Sequence, residues 1–210
     1  MVDPLLEPFT PQNTTIMMVD YSSGFINTFR SHDTNEHLTA TVALAKTALG
    51  FKSGLVVNLG AGQKPYPQLV GALGTHPIIY RGGEYNALDN STVRKAVEAT
   101  GRKSLAIAGI STDGCVIETA LGALRLGYRV ALVEDATAGL TLETHNIAVQ
   151  RMVQAGVVPV SWLSLATEFQ MNWENKETAQ AYFALIAEAS PGLTMSIQAE
   201  HAAAGSKAAD

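Results

Sequence analysis

Six short apolar runs, separated by amphipathic segments, restrict the fold more than any other feature of the sequence. The runs are TIMMVD (15–20), GLVVNL (54–59), PIIY (77–80), SLAIAGI (104–110), RVALVED (129–135) and VVPVSW (157–162). Each is nearly uniformly apolar, as a strand covered on both faces must be. Segments with helical periodicity lie between them at 35–51, 66–73, 92–100, 114–127 and 142–156. Gly101, Gly127 and Gly156 stand where three of these helices need a C-cap. The alternation predicts an α/β chain: a single-domain, doubly wound, Rossmann-like sheet of about six parallel strands, in the order 3-2-1-4-5-6, with helices on both faces.

Beyond the last strand the pattern becomes SLATEFQMNW and KETAQAYFALIAEA (176–189), two further helices whose apolar faces cover the sheet or meet another subunit. Residues 1–13 hold three prolines and read as an extended N-terminal arm, 14–190 as the domain, and 191–210 as a frayed, flexible tail. With 14 basic and 19 acidic residues the net charge is -5, and no basic run exists to engage a phosphate backbone, so a nucleic acid partner is not expected. No apolar stretch reaches the roughly 20 residues that cross a bilayer. One cysteine cannot form an internal disulfide, and the N-terminus lacks a charged and an apolar signal region. A cytoplasmic location is the expectation.

Ligands of open parallel sheets bind beyond the carboxyl ends of the strands, where strand order reverses. Asp20 ends the first run, Arg81 follows the third, and the fourth runs into GISTDGC (109–115), which delivers the single cysteine, Cys115. Taken singly, Cys115 reads as a small buried hydrophobe, Asp20 as a turn cap and Arg81 as a solvated charge. Convergence at one rim makes them a candidate site. A helix starting near Gly114 would put Cys115 in its first turn, where the helix dipole lowers a thiol's pKa and Arg81 acts the same way. Asp113 opposes this unless it caps the helix. Phe25, Glu84, Tyr85, Asn86 and Trp162 lie near strand ends and are candidates to bind substrate, with core packing or solvated loop charge as the alternative for each.

At these residues the chain resembles the isochorismatase-like cysteine hydrolase superfamily over about residues 14–173. The motifs are VDYSSGF (19–25), IIYRGGEYNALDN (78–90), LAIAGISTDGCVIETALGALRLGYRV (105–130) and EDATAG (134–139). The second is most similar to the octameric, bacterial YcaC-type subgroup. The resemblance implies a catalytic Asp20 and Cys115, with Arg81 where the superfamily has lysine. It also implies a cis peptide at Ile110–Ser111 and an oxyanion hole from the Ser111 and Cys115 amides. Arginine stays charged at any attainable pH, so Arg81 can stabilise a thiolate and orient Asp20 without relaying a proton.

Metal-binding relatives carry an aspartate and histidines after strand two, whereas this chain has NLGAGQKPYPQLV there. His32, His37, His76, His145 and His201 show no ligand spacing in sequence, so neither metal nor cofactor is expected. The implied activity is hydrolysis of an amide-type C–N bond of a small molecule through a thioester acyl-enzyme. Three alternatives stay open: a non-covalent vinyl-ether hydrolase of the isochorismatase type, a catalytically idle oligomeric binding or scaffold protein, and a peroxide-sensing thiol. The subgroup further implies a homo-oligomer, with an octamer as its assembly.

Overall fold

Every residue of the first strand, β1 (Thr14–Val19), is buried, and its side chains divide between two cores. Ile16 and Met18 enter one core and Met17 and Val19 the other, as the two-residue period of a strand dictates. The structure, a computed structural model, describes residues 6–207. In it β1 sits inside a sheet completed by β2 (Gly54–Gly60), β3 (Ile78–Arg81), β4 (Ser104–Gly109), β5 (Arg129–Val133) and β6 (Val158–Val160). All pairings are parallel, in the order β3-β2-β1-β4-β5-β6. The expected doubly wound topology is the observed one.

On one face, α1 (Thr34–Gly50), α2 (Pro67–Leu73), α6 (Trp162–Gln170) and α7 (Lys176–Ala189) contribute Leu44, Leu69, Leu165 and Ile186 to the first core. The other face is covered by α3 (Ser91–Ala99), α4 (Ile117–Arg125) and α5 (Leu142–Gln154), through Val97, Ala120 and Met152. The apolar faces of α6 and α7 are thus used within the chain. Helix starts are fixed by side chains: Asp33 accepts from the Asn35 and Glu36 amides, and Thr141 and Ser161 form capping boxes. Gly101, Gly127 and Gly156 have φ of 69°, 82° and 99°, the left-handed geometry expected at these helix exits.

Three details depart from the sequence reading. The sixth strand stops at Val160, because Ser161 caps α6, so Trp162 opens a helix rather than ending a strand. Residues 191–207 of the expected tail form α8 (Pro191–Lys207), while 208–210 lie outside the described residues. Of the expected arm, residues 1–5 lie outside the described residues, and the rest is pinned. Phe9 is buried, its amide donates to Glu168 Oε2 over 2.7 Å, and the Arg129 guanidinium lies 3.7 Å from its ring centre.

Strand order reverses between β1 and β4, where Val19 pairs with Gly109. A methyl group at Gly109 would stand 2.0 Å from the Val19 carbonyl oxygen, so only glycine lets the strands meet here. The chain leaving β1 therefore runs beside the chain leaving β4.

Candidate active site

Asp20 follows β1 directly and has a left-handed φ of 56°. Its amide donates to the Asn58 carbonyl of β2 over 2.9 Å, and its Oδ1 accepts from the Gly60 amide at 3.0 Å. Its Oδ2 pairs with Arg81 Nη2. The carboxylate is 2% exposed and the guanidinium residue 4%, so each is the other's principal counter-charge.

Arg81 ends β3, in register with Gly60 of β2. Its Nε donates to Asn58 Oδ1 over 3.0 Å and Nη1 donates to the Glu84 carbonyl. Asn58 in turn donates from Nδ2 to the Met18 carbonyl over 3.1 Å. Sequence reasoning missed Asn58. Its signal was present: an amide in the interior of GLVVNL, where every neighbour is apolar or glycine.

Cys115 reaches the site on a single wide turn, Thr112–Val116, that precedes α4. Gly114, with φ -131° and ψ -108°, breaks the helical path, so the helix begins three residues later than expected. Cys115 is therefore ahead of the helix rather than in its first turn. The expected lowering of its pKa is reversed: burial first, then a hydrogen bond to Asp20 and that carboxylate's charge, push the thiol up to about 11. Arg81 pulls the other way and is outweighed. Asp113 makes no capping bond, and its Oδ1 is buried without a hydrogen-bond partner among the described residues. The Ile110–Ser111 peptide is cis.

The structure thus brings Asp20, Arg81 and Cys115 to one rim. The five expected substrate contacts fare differently. Glu84 is held by the Arg81 loop and accepts from Asn90 Nδ2 over 3.2 Å, and bonds from its own backbone and Asn90 keep its carboxyl below the usual range. Tyr85 is 70% exposed. Phe25 is partly buried against the first core. Asn86 is committed locally, accepting from the Leu88 amide and donating to Asp89 Oδ1, and lies against Gly122 of α4. Trp162 is buried, its amide donates to Asp135 Oδ1, and it lines a cavity of about 400 Å³ together with His32 and Asp135. A second cavity, of about 390 Å³, lies between α1, α2 and α7, lined by Leu38, Val42 and Leu185.

The family model described as the isochorismatase domain matches residues 14–164. The chain belongs to the isochorismatase family. Within this family it is of the YcaC type: the probable hydrolase YcaC of Escherichia coli is 31% identical over 78% of this chain and 80% of that one. The structure of YcaC from Pseudomonas aeruginosa, with hexane-2,5-diol and covalent acrylamide, has a TM-score of 0.87 and 28% identity, covering 93% of this chain and 98% of that one. The E. coli YcaC structure, described as an octameric hydrolase of unknown specificity, has a TM-score of 0.86 and 27% identity, covering 93% of this chain and 97% of that one. A nicotinamidase of Schizosaccharomyces pombe is 35% identical over a shorter span, 38% of this chain and 36% of that one.

In this isochorismatase-family hydrolase the fold gathers residues that sequence spacing kept apart. His32, Glu134 and His145 bring potential ligand atoms within 4.8 Å of one another. Sequence spacing could not reveal a cluster whose members come from three different loops and helices. No described helix is long and apolar enough to cross a membrane.

Proposed function

We propose that the chain hydrolyses an amide-type C–N bond of a small molecule, with Cys115 as nucleophile and Asp20 as the proton-transfer group, and without a catalytic metal. The observation that carries this reading is the meeting of a buried carboxylate, its guanidinium partner and the chain's single thiol at the point where strand order reverses.

Burial and the neighbouring Asp20 carboxylate raise the pKa of Cys115, so the reaction starts from the thiol beside Asp20. On attack, Asp20 takes the thiol proton as sulfur bonds to the carbonyl carbon, and the oxyanion is received by the Ser111 and Cys115 amides. Collapse breaks the C–N bond, and the proton on Asp20 leaves with the amine. A water then adds to the thioester, giving its proton to Asp20; the acid departs and the thiol is restored. Arg81, tied to Asn58 and the Glu84 carbonyl, stays charged and holds Asp20 in place through both halves.

Phe25, Glu84 and Tyr85 are the side chains we assign to substrate contact. Asn86 and Trp162 are engaged in the 87–89 turn and at the start of α6. The covalent acrylamide of the P. aeruginosa relative supports a nucleophile in this fold, because acrylamide is captured by conjugate addition at its alkene. By likeness to the octameric E. coli protein we also propose a homo-oligomer, with an octamer as its assembly.

The test is a panel of small amides incubated with the protein, with products followed and Cys115 examined by intact mass after acid quench. A thioester adduct that disappears in Cys115→Ala is the expected result. Turnover in Cys115→Ala near that of the wild type overturns the assignment.

A further inference from the structure

Outside the triad, His32 and His145 direct their Nε2 atoms at one carboxylate oxygen, Glu134 Oε1, at 3.7 and 2.9 Å. The two rings are edge to face, with centroids 4.9 Å apart. Each imidazole is fixed from behind by a hydroxyl: Ser31 Oγ lies 2.8 Å from His32 Nδ1, and Thr112 Oγ1 lies 2.7 Å from His145 Nδ1. Both hydroxyls can accept from a ring N–H. That tautomer places the proton on Nδ1 and turns the Nε2 lone pair toward Glu134.

We propose that His32, Glu134 and His145 form a binding site for a divalent first-row transition metal such as zinc, which braces the turn carrying the nucleophile. The ligand set is two imidazoles and a carboxylate, a combination that suits zinc with one coordination position left open. Donors about 2.1 Å from a tetrahedral ion stand about 3.4 Å apart, and the two histidine–carboxylate separations of 2.9 and 3.7 Å bracket that value. At 3.7 Å the His32–Glu134 contact is too long for a hydrogen bond, so a cation between them would complete an interaction the protein groups leave unmade. His145 is buried, His32 half-buried and Glu134 partly exposed, so the site has a firm floor and an open side. A cavity lined by His32, Asn35, Thr39, Asp135 and Trp162 adjoins the His32 side of the cluster.

The same residues join the loops around the nucleophile. Thr112, which holds His145, follows Ser111 and donates its amide to the Ala138 carbonyl. Ser31, which holds His32, accepts from the Gly139 amide over 2.9 Å. A cation shared by His32, Glu134 and His145 would therefore tie the loops after β1 and β5 to the Cys115 turn, without entering the reaction.

The experiment uses the full chain, stripped with a chelator, dialysed and titrated with Co²⁺ and Zn²⁺. The expected result is one equivalent bound per chain, with visible bands of tetrahedral Co²⁺ that Zn²⁺ displaces. His32→Ala, at a partly buried position, should weaken binding at least about tenfold, and so should Glu134→Gln, which keeps the size of the side chain. Binding that is absent in the wild type, or undiminished in both variants, overturns the proposal. The readout is metal binding alone, so it stands or falls independently of whether the triad hydrolyses amides.

Discussion

The Nε–H of Arg81 donates to Asn58 Oδ1 over 3.0 Å, which aims the guanidinium at Asp20 from a strand that is not its own. Asn58 is wholly buried, so its replacement leaves the Arg81 N–H without a partner. Asn58→Leu should destabilise the fold by about 1 to 3 kcal/mol. It should also lower hydrolysis of any amide substrate by roughly ten- to a hundredfold with little change in KM, because the fault lies in the aim of Arg81 rather than in binding. Urea unfolding and steady-state kinetics together check this. Unchanged kcat in a folded Asn58→Leu protein would show that Arg81 needs no such support.

The thiol and Asp20 are coupled, and alkylation measures the coupling. With a pKa of about 11, roughly one Cys115 in a thousand is thiolate at pH 8. Asp20→Asn removes the negative charge while Arg81 stays, so the thiol pKa falls. A fall of about one unit gives tenfold more thiolate of about threefold lower nucleophilicity, hence a net gain of about threefold in iodoacetamide reactivity at pH 8. Amide hydrolysis should fall by about a hundredfold or more in the same variant, because the proton acceptor is gone. Slower alkylation of Asp20→Asn would contradict the assigned coupling.

The strand framework and the three rim residues were legible because each rests on a local rule: a residue just past the end of an apolar run lies at the rim of the sheet. The buried strand β1 is apolar and Asp20 follows it directly, while Arg81 closes the short edge strand β3. Asn58 interrupted a run, but its importance depends on what lies across the sheet from it, which no local pattern encodes. The start of α4 was misplaced because Gly114 in GISTDGC takes non-helical φ/ψ, a conformation open to glycine that no periodicity in the sequence announces. The direction of the Cys115 shift was misread for the same reason. Position relative to a helix end is local, whereas burial and the Asp20 charge come from the fold. His32, Glu134 and His145 were invisible as a group, since His32 lies over a hundred positions from the other two and meets them only in the folded chain.

The Val19–Gly109 contact sets the distance between the two strands that carry Asp20 and Cys115. Gly109→Ala would force a methyl group to 2.0 Å from the Val19 carbonyl oxygen, so the strands must separate or the chain must twist. A loss of stability on the order of 3 kcal/mol or more is expected, read as a lower denaturation midpoint. A conservative Gly109→Ala protein with wild-type stability would mean that the two strands have slack at this point.

His37 gives the fold an acid limit. It is fully buried in α1 between Phe29, Tyr21 and Tyr66, with ring centroids 4.8, 5.8 and 6.1 Å away, and neither ring nitrogen has a hydrogen-bond partner among the described residues. Burial lowers its pKa from 6.5 to about 3, with a smaller effect from His32. Between those values the unfolded chain takes up a proton that the native chain refuses. The contribution of His37 is therefore intact above pH 6.5 and is lost as pH falls toward 3, by at most about 1.4 kcal/mol per pH unit. His37→Phe replaces the imidazole with a ring that cannot charge, in a site already lined by aromatic groups. Its urea midpoint should fall less steeply than that of the wild type between pH 6 and pH 4. Parallel curves for the two proteins would mean that His37 keeps its proton balance on unfolding and that the acid limit comes from other groups.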